Sequence, residues 1–187
     1  MNVYDFDQTI YAGDSTVDFY LWCLKRYPRC LLALPIQGIA AMRYLLKKCS
    51  KTEMKEGFYR FLRYVPVNEA LLKAFWKQHE GKMQSWYIRQ RRDDDVVISA
   101  SPEFLLKPVC DGLGIALLAS RVDASTGTYT GLNCHGAEKV RRFREIHPDA
   151  EIKNFYSDSL SDAPLAACSR QAYLVKGQDV CPWPEKE

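Results

Sequence analysis

Two carboxylates, Asp5 and Asp7, stand two residues apart at the end of a short apolar run, Asn2-Val3-Tyr4. In an extended chain alternate side chains share a face, so the pair would leave a strand end in register. Like charges that close repel unless a cation sits between them or one holds a proton. The chemistry this suits is binding of Mg²⁺ by oxygen ligands, with one carboxylate as nucleophile and the other as acid–base. Aspartate pairs are also common in plain turns, so the meaning of this one depends on what the rest of the chain brings to it.

Further groups of the right kind recur downstream. Ser99 closes the β-branched run Val96-Val97-Ile98, with Ala100 and Ser101 behind it. The Ser99 hydroxyl and the Ala100 backbone N–H can hold phosphoryl oxygens at a helix N-terminus. Ser101 is the rival donor, and a simple helix cap is the plain alternative. Asp158, Ser161 and Asp162 follow the run Lys153-Asn154-Phe155-Tyr156-Ser157. Lys139 sits in a segment rich in Lys and Arg, where it is either a solvated charge or a cation turned inward onto a phosphate.

The elements that must position these groups follow from periodicity. Ser15 or Thr16 can cap a helix whose residues Val17, Tyr20, Leu21 and Leu24 recur at i, i+3, i+4 and i+7, and Pro28 ends it. The stretch from Cys30 to Leu46 is apolar nearly all round but broken by Pro35, Gln37, Gly38 and Arg43. A membrane span needs about 18–20 clean apolar residues, so a buried or interfacial helical hairpin is the better reading. A capping box, Ser50 with Glu53, opens a helix carrying Met54, Phe58, Phe61, Leu62 and Val65 on one face. Asn68 can cap the next, and another helical segment surrounds Met83, Trp86 and Tyr87.

Past Asp93-Asp94-Asp95 the pattern changes. Short strands at 96–99, 116–119, 153–157 and 172–175 alternate with helices at 105–113, 138–146 and 163–168. A hairpin is expected over 121–132, and an irregular tail over 181–184. Such alternation predicts an α/β fold with a doubly wound, mainly parallel, Rossmann-like sheet. Ligands bind beyond the carboxyl ends of such strands, which is where each candidate group falls. The helical block then reads as a cap, residues 14–92, inserted into a core made of 1–13 and 93–187.

Taken in order, Asp5-Phe6-Asp7-Gln8-Thr9, Val96-Val97-Ile98-Ser99, Lys139 and Tyr156-Ser157-Asp158-Ser159-Leu160-Ser161-Asp162 resemble the four motifs of the haloacid dehalogenase superfamily. The helical insertion after the first motif looks like the cap of its phosphoserine-phosphatase-like branch. The resemblance implies a phosphatase in which Asp5 is the nucleophile and forms an aspartyl-phosphate. Asp7 is then the general acid and base, and Ser99, Ala100 and Lys139 bind the phosphate. It implies Mg²⁺ held by Asp5, the Asp7 carbonyl and Asp158, with Asp162 and Ser161 in support. Asp14 matches the acidic residue that grips a substrate ammonium group in that branch, and equally suits the cap of the first inserted helix. The cap arginine of that branch has no clear counterpart; Arg60 and Arg63 are the nearest.

Composition narrows the remaining classes. The 187 residues carry a net charge of +3, with no motif for nucleic acid. The charge is unevenly spread: residues 15–92 hold 16 Lys and Arg against 5 Asp and Glu, while the remainder holds 10 against 18. A basic lid over an acidic floor steers anionic substrates inward or docks on an anionic membrane. The expected partner is a phosphorylated small molecule, with a phospholipid and transient membrane-surface contact as the alternative. A non-catalytic phospholigand-binding module and transfer to an acceptor other than water are the rival activities. Seven scattered cysteines without a Cys-x-x-Cys pair, and carboxylates too near the start to leave room for a leader, point to a reduced, cytoplasmic setting. Oligomeric state is not legible.

Overall fold

The computed structural model describes residues 1–184. Six strands form one sheet: β1 (Asn2–Tyr4), β2 (Val96–Pro102), β3 (Ala116–Ser120), β4 (Ile152–Ser157), β5 (Ser169–Lys176) and β6 (Asp179–Pro182). Their order is β3-β2-β1-β4-β5-β6, parallel through β5, with β6 antiparallel at the edge. β6 occupies part of the tail expected to be irregular. Its Cys181 and Pro182 pair with Leu174 and Tyr173, and the Trp183 N–H donates to the Ala172 carbonyl.

Alternation along the strands sorts the core into two layers. Val3, Val96, Ile98 and Phe155 face α7 (Ala137–Ile146) and α8 (Ala163–Ala166), meeting Phe143 and Leu165. Tyr4, Val97 and Tyr156 face the other way, toward α6 (Glu103–Leu113) and the inserted helices. Those are α1 (Ser15–Arg26), α2 (Leu34–Leu45), α3 (Lys51–Tyr59), α4 (Glu69–His79) and α5 (Ser85–Gln90), joined by 3₁₀ turns. Every regular element between β1 and β2 is therefore helical. Aromatic contacts knit it to the sheet: Phe6 meets Trp76 edge-on with ring centroids 5.7 Å apart, and Trp76 donates its indole N–H to the Leu105 carbonyl at 2.7 Å.

The two ends of the insertion are tied to each other. The Ala12 N–H donates to the Lys82 carbonyl and the Gln84 N–H to the Ile10 carbonyl, both at 2.8 Å, with a bridge between Tyr11 and Met83.

Several local expectations are corrected. In α1 the buried face is Phe19, Tyr20, Trp22 and Cys23, while Val17 and Leu21 are exposed. The larger aromatics take the interior because α4 and the 3₁₀ turn after α3 offer aromatic partners, Phe75 and Phe61. Of the candidate caps of α1, Ser15, Thr16 and Asp14, it is Asp14 that serves. The stretch from Cys30 to Leu46 is not a hairpin but a 3₁₀ turn, Pro28–Ala33, running into α2. Its turn buries Cys30 and Ala33, but no residue of α2 is buried. Among the described residues no helix is long and apolar enough to cross a membrane. The hairpin over 121–132 shrinks to one bridge, Val122 with Tyr129, around a turn in which the Asp123 carboxylate accepts from the Ser125 and Thr126 N–H groups.

That turn braces the insertion. Gly127, at φ +75°, passes so close to the Tyr59 carbonyl that no side chain fits, and the Tyr129 N–H donates to Glu56 at 2.8 Å. Gly57 has the same role on the other side of α3, where an added methyl group would collide with the Ala40 methyl of α2. Gly57→Ala is expected to force α2 away from α3 and lower stability by about 1–3 kcal/mol, read as a shift of the urea midpoint by circular dichroism.

Candidate active site

β1 stops at Tyr4, so strand alternation is not what brings Asp5 and Asp7 together. They lie in the tight turn that follows. There the Phe6 carbonyl accepts N–H groups from Thr9, Ile10 and Tyr11, and Gln8 adopts a left-handed φ of +57°. The Asp5 N–H still donates to the Tyr156 carbonyl at 2.8 Å, which anchors the turn to the end of β4. Both carboxylates open onto one cavity of about 390 Å³ at the carboxyl edge of the sheet. Asp14, Ser99, Ala100, Lys139, Asp158, Ser161 and Asp162 line the same cavity.

Lys139 is the pivot. It stands in the first turn of α7, after Gly136 at φ +59°, and is only 2% exposed. Its Nζ lies 2.9 Å from Asp5 Oδ1 and 2.6 Å from Asp162 Oδ2. The solvated-charge alternative is thereby excluded. Asp162 also accepts from the Ser157 hydroxyl at 2.8 Å, so it holds the lysine in place. Against its own burial, the two carboxylates keep Lys139 firmly protonated. Burial raises the Asp5 carboxyl above its usual range, with Lys139 pulling back and Asp162 pushing further up.

Asp7 is held differently. Its Oδ1 accepts from the Ser15 N–H at 2.6 Å and its Oδ2 from the Ser101 hydroxyl. Burial, reinforced by the charge on Asp14, pushes it up to about 7. Because Ser101 is engaged with Asp7, Ser99 has the freer hydroxyl: its oxygen accepts from the Ser101 N–H at 3.1 Å and its own proton meets no acceptor among the described residues. β2 continues through Pro102 and α6 starts only at Glu103 without a side-chain cap. Ser99 and Ala100 therefore lie within the strand, not at a helix N-terminus.

The donors suit Mg²⁺. Among the described residues no side chain donates to the Asp158 carboxylate, and Lys139 is the one side chain that donates to Asp5. Burial, and after it the charge on the neighbouring Asp5, push Asp158 up to about 6. Among the described residues no three His, Cys, Asp or Glu side chains form a ready-made cage. Two carboxylates with a backbone carbonyl, completed by water, is an arrangement this small, strongly hydrated ion accepts.

Asp14 carries out its capping role through Oδ1 alone, 2.9 Å from the N–H groups of Thr16 and Val17, and still lines the cavity. Arg60 and Arg63 do not line it; Lys51 and Lys55 do. Lys55 reaches inward to donate to the Ala100 carbonyl at 3.0 Å, and Lys51 lies 3.1 Å from His135 Nε2. Burial and Lys51 depress the His135 pKa, so its neutral ring can accept that proton. The signal for these lysines was in the sequence: the capping box starts α3 at Lys51, which sets Lys51, Met54, Lys55 and Phe58 on one helical face.

This fold and site define a hydrolase class, and the family comparison agrees. A model of the haloacid dehalogenase-like hydrolases matches residues 3–167, and the chain belongs to that family. Protein CicA of Caulobacter vibrioides is similar at 35% identity, over 92% of this chain and 84% of that protein. Among solved structures, a Bordetella pertussis protein of unknown function superposes with a TM-score of 0.72 at 19% identity, covering 92% of this chain and 87% of that one. A probable phosphoserine phosphatase from Vibrio cholerae gives 0.63 at 9% identity, over 91% of this chain and 55% of that one. These structural likenesses speak for the fold.

The ion-paired lysine sets a stability test. Lys139→Met leaves Asp5 and Asp162 buried without a cation and is expected to cost about 3–5 kcal/mol in urea denaturation without divalent ions. Adding Asp162→Asn to that variant should restore part of the loss.

Proposed function

We propose that the chain is a Mg²⁺-dependent phosphomonoesterase working through an aspartyl-phosphate on Asp5, with residues 14–92 as the cap over a core of 1–13 and 93–187. The observation that carries this reading is the buried Lys139, held against Asp5 and Asp162 on the floor of a cavity shared with Asp7, Ser99 and Asp158. Burying that much charge costs stability and serves no packing purpose, which marks a functional site.

The chain's own groups account for the steps. The Ser99 hydroxyl, the Ala100 N–H and Lys139 hold the phosphoryl oxygens of the substrate. An Asp5 oxygen attacks phosphorus in line as the bond to the leaving oxygen breaks, and Asp7 donates its proton to that oxygen. Water then attacks the phosphorus of the acyl phosphate while Asp7 takes up the water's proton. The bond from phosphorus to Asp5 breaks, releasing inorganic phosphate and restoring the Asp5 carboxylate and the protonated Asp7. Asp5, Asp158 and the Asp7 carbonyl would hold Mg²⁺, which when bound offsets the repulsion between the Asp5 carboxylate and the anionic phosphate.

The substrate is read as a small phosphorylated molecule. Val17, Met54 and Phe58 give the cap wall an apolar part, while Lys51 and Lys55 give it positive charge. Without Arg60 or Arg63 in the cavity, phosphoserine is not favoured over other phosphate esters. Lipid phosphate is the second reading, supported by the same apolar wall.

Asp5→Asn is expected to lower hydrolysis of p-nitrophenyl phosphate by at least about a thousandfold, and Asp7→Asn by about 10²–10⁴. Chelation should abolish the wild-type activity, with Mg²⁺ restoring it. Undiminished turnover by pure Asp5→Asn protein, or after complete chelation, would refute the mechanism.

A further inference from the structure

The face of α2 that looks away from α3 has no partner among the described residues. On this 12-residue helix Leu34, Ile36, Ile39, Met42 and Leu45 are all exposed, Ile39 by 62% and Leu45 by 77%. Leu31 and Leu32 before the helix and Leu46 after it extend the patch. The helix is fastened by its opposite edge alone, through Ala40 against Gly57 and the Gln37 side-chain amide donating to the Phe58 carbonyl at 2.8 Å. Isolated exposed leucines need no explanation, but a contiguous apolar face along a whole helix does.

Its charge surroundings select the partner. From Phe19 through Thr52 the chain contains no Asp or Glu, yet it carries Lys25, Arg26, Arg29, Arg43, Lys47, Lys48 and Lys51. All seven are exposed. Arg26 and Arg29 precede the apolar run, Lys47, Lys48 and Lys51 follow it, and Arg43 lies within it. A face for a second copy of this chain would juxtapose like charges across the contact, which opposes association. An apolar stripe with basic residues at both ends and no acid matches a helix lying in the headgroup layer of an anionic bilayer. At about 18 Å, α2 is too short to cross the roughly 30 Å hydrocarbon core.

We infer that α2 and the turn before it form a docking surface for anionic membranes, with α2 lying flat in the interface and the basic residues at its ends contacting lipid phosphates. The docked face is one helix away from the cavity. α3 receives α2 at Gly57 and turns Lys51, Met54, Lys55 and Phe58 to the site. This surface acts independently of the phosphatase reading, because none of its apolar residues lines the cavity.

The test is co-sedimentation of the full chain with phosphatidylcholine vesicles, with and without phosphatidylglycerol. The protein should sediment with the anionic vesicles, weakly with the neutral ones, and less as salt is raised. Ile39→Glu/Leu45→Glu should reduce partitioning at least about tenfold, since each removes an apolar side chain that docking would bury. Lys47→Glu/Lys48→Glu should reduce it several-fold, and only at low salt. Both sites are exposed, so circular dichroism and p-nitrophenyl phosphate turnover should stay at wild-type values. Loss of turnover with normal vesicle binding would count against the phosphatase reading instead. Failure of the wild-type chain to bind anionic vesicles, or binding that the glutamate variants leave unchanged, would overturn the inference. A wild-type dimer that these variants convert to monomer, with no vesicle binding, would assign the face to a second copy.

Discussion

The site depends on one buried arrangement, a lysine ammonium between two carboxylates from distant parts of the chain. Lys139 comes from the first turn of α7, Asp5 from the turn after β1 and Asp162 from the segment after β4. Any one of these charges left alone in the interior would be costly, so each stabilises the placement of the others. The parallel sheet makes the meeting possible. β1 and β4 are neighbours and point the same way, so the segments leaving them emerge at one edge. The Asp5 N–H bond to the Tyr156 carbonyl extends that register past the strand and into the chemistry.

Around this floor the helical insertion supplies the rest of the wall. α3 has three neighbours at once: α2 through Gly57, the turn at Gly127 through Tyr59, and the cavity through Lys51, Met54, Lys55 and Phe58. Two glycines make this possible, since each admits a close approach that any side chain would prevent. The cavity wall, support of the outer helix and anchoring to the sheet side therefore share nine residues.

The mainly parallel sheet, the positions of its first five strands along the chain and the gathering of Asp5, Asp7, Ser99 and Asp158 at one edge were legible because they rest on short-range regularities. These are β-branched runs, the spacing of carboxylates after them, and the capping box at Ser50. What was not legible depended on tertiary partners. Val17, Tyr20, Leu21 and Leu24 have a valid helical period, yet Phe19, Trp22 and Cys23 turn inward because other aromatics await them. The inward direction of Lys139 among neighbouring basic residues is equally invisible until Asp5 and Asp162 are brought to it. β6 escaped notice because Pro182 and Pro184 suggest irregular chain, although an edge strand tolerates proline where no N–H is needed.

The pairing of Ala12 with Lys82 and Gln84 with Ile10 has an evolutionary consequence. With its entry and exit clasped together, the insertion is a closed loop on the sheet, and the entropy of bringing its ends together changes only slowly with its length. Its helices can be lengthened, shortened or resurfaced while the carboxylates beneath keep their positions. A lineage can thus exchange substrates, or exchange solution for a membrane surface, without rebuilding the reaction.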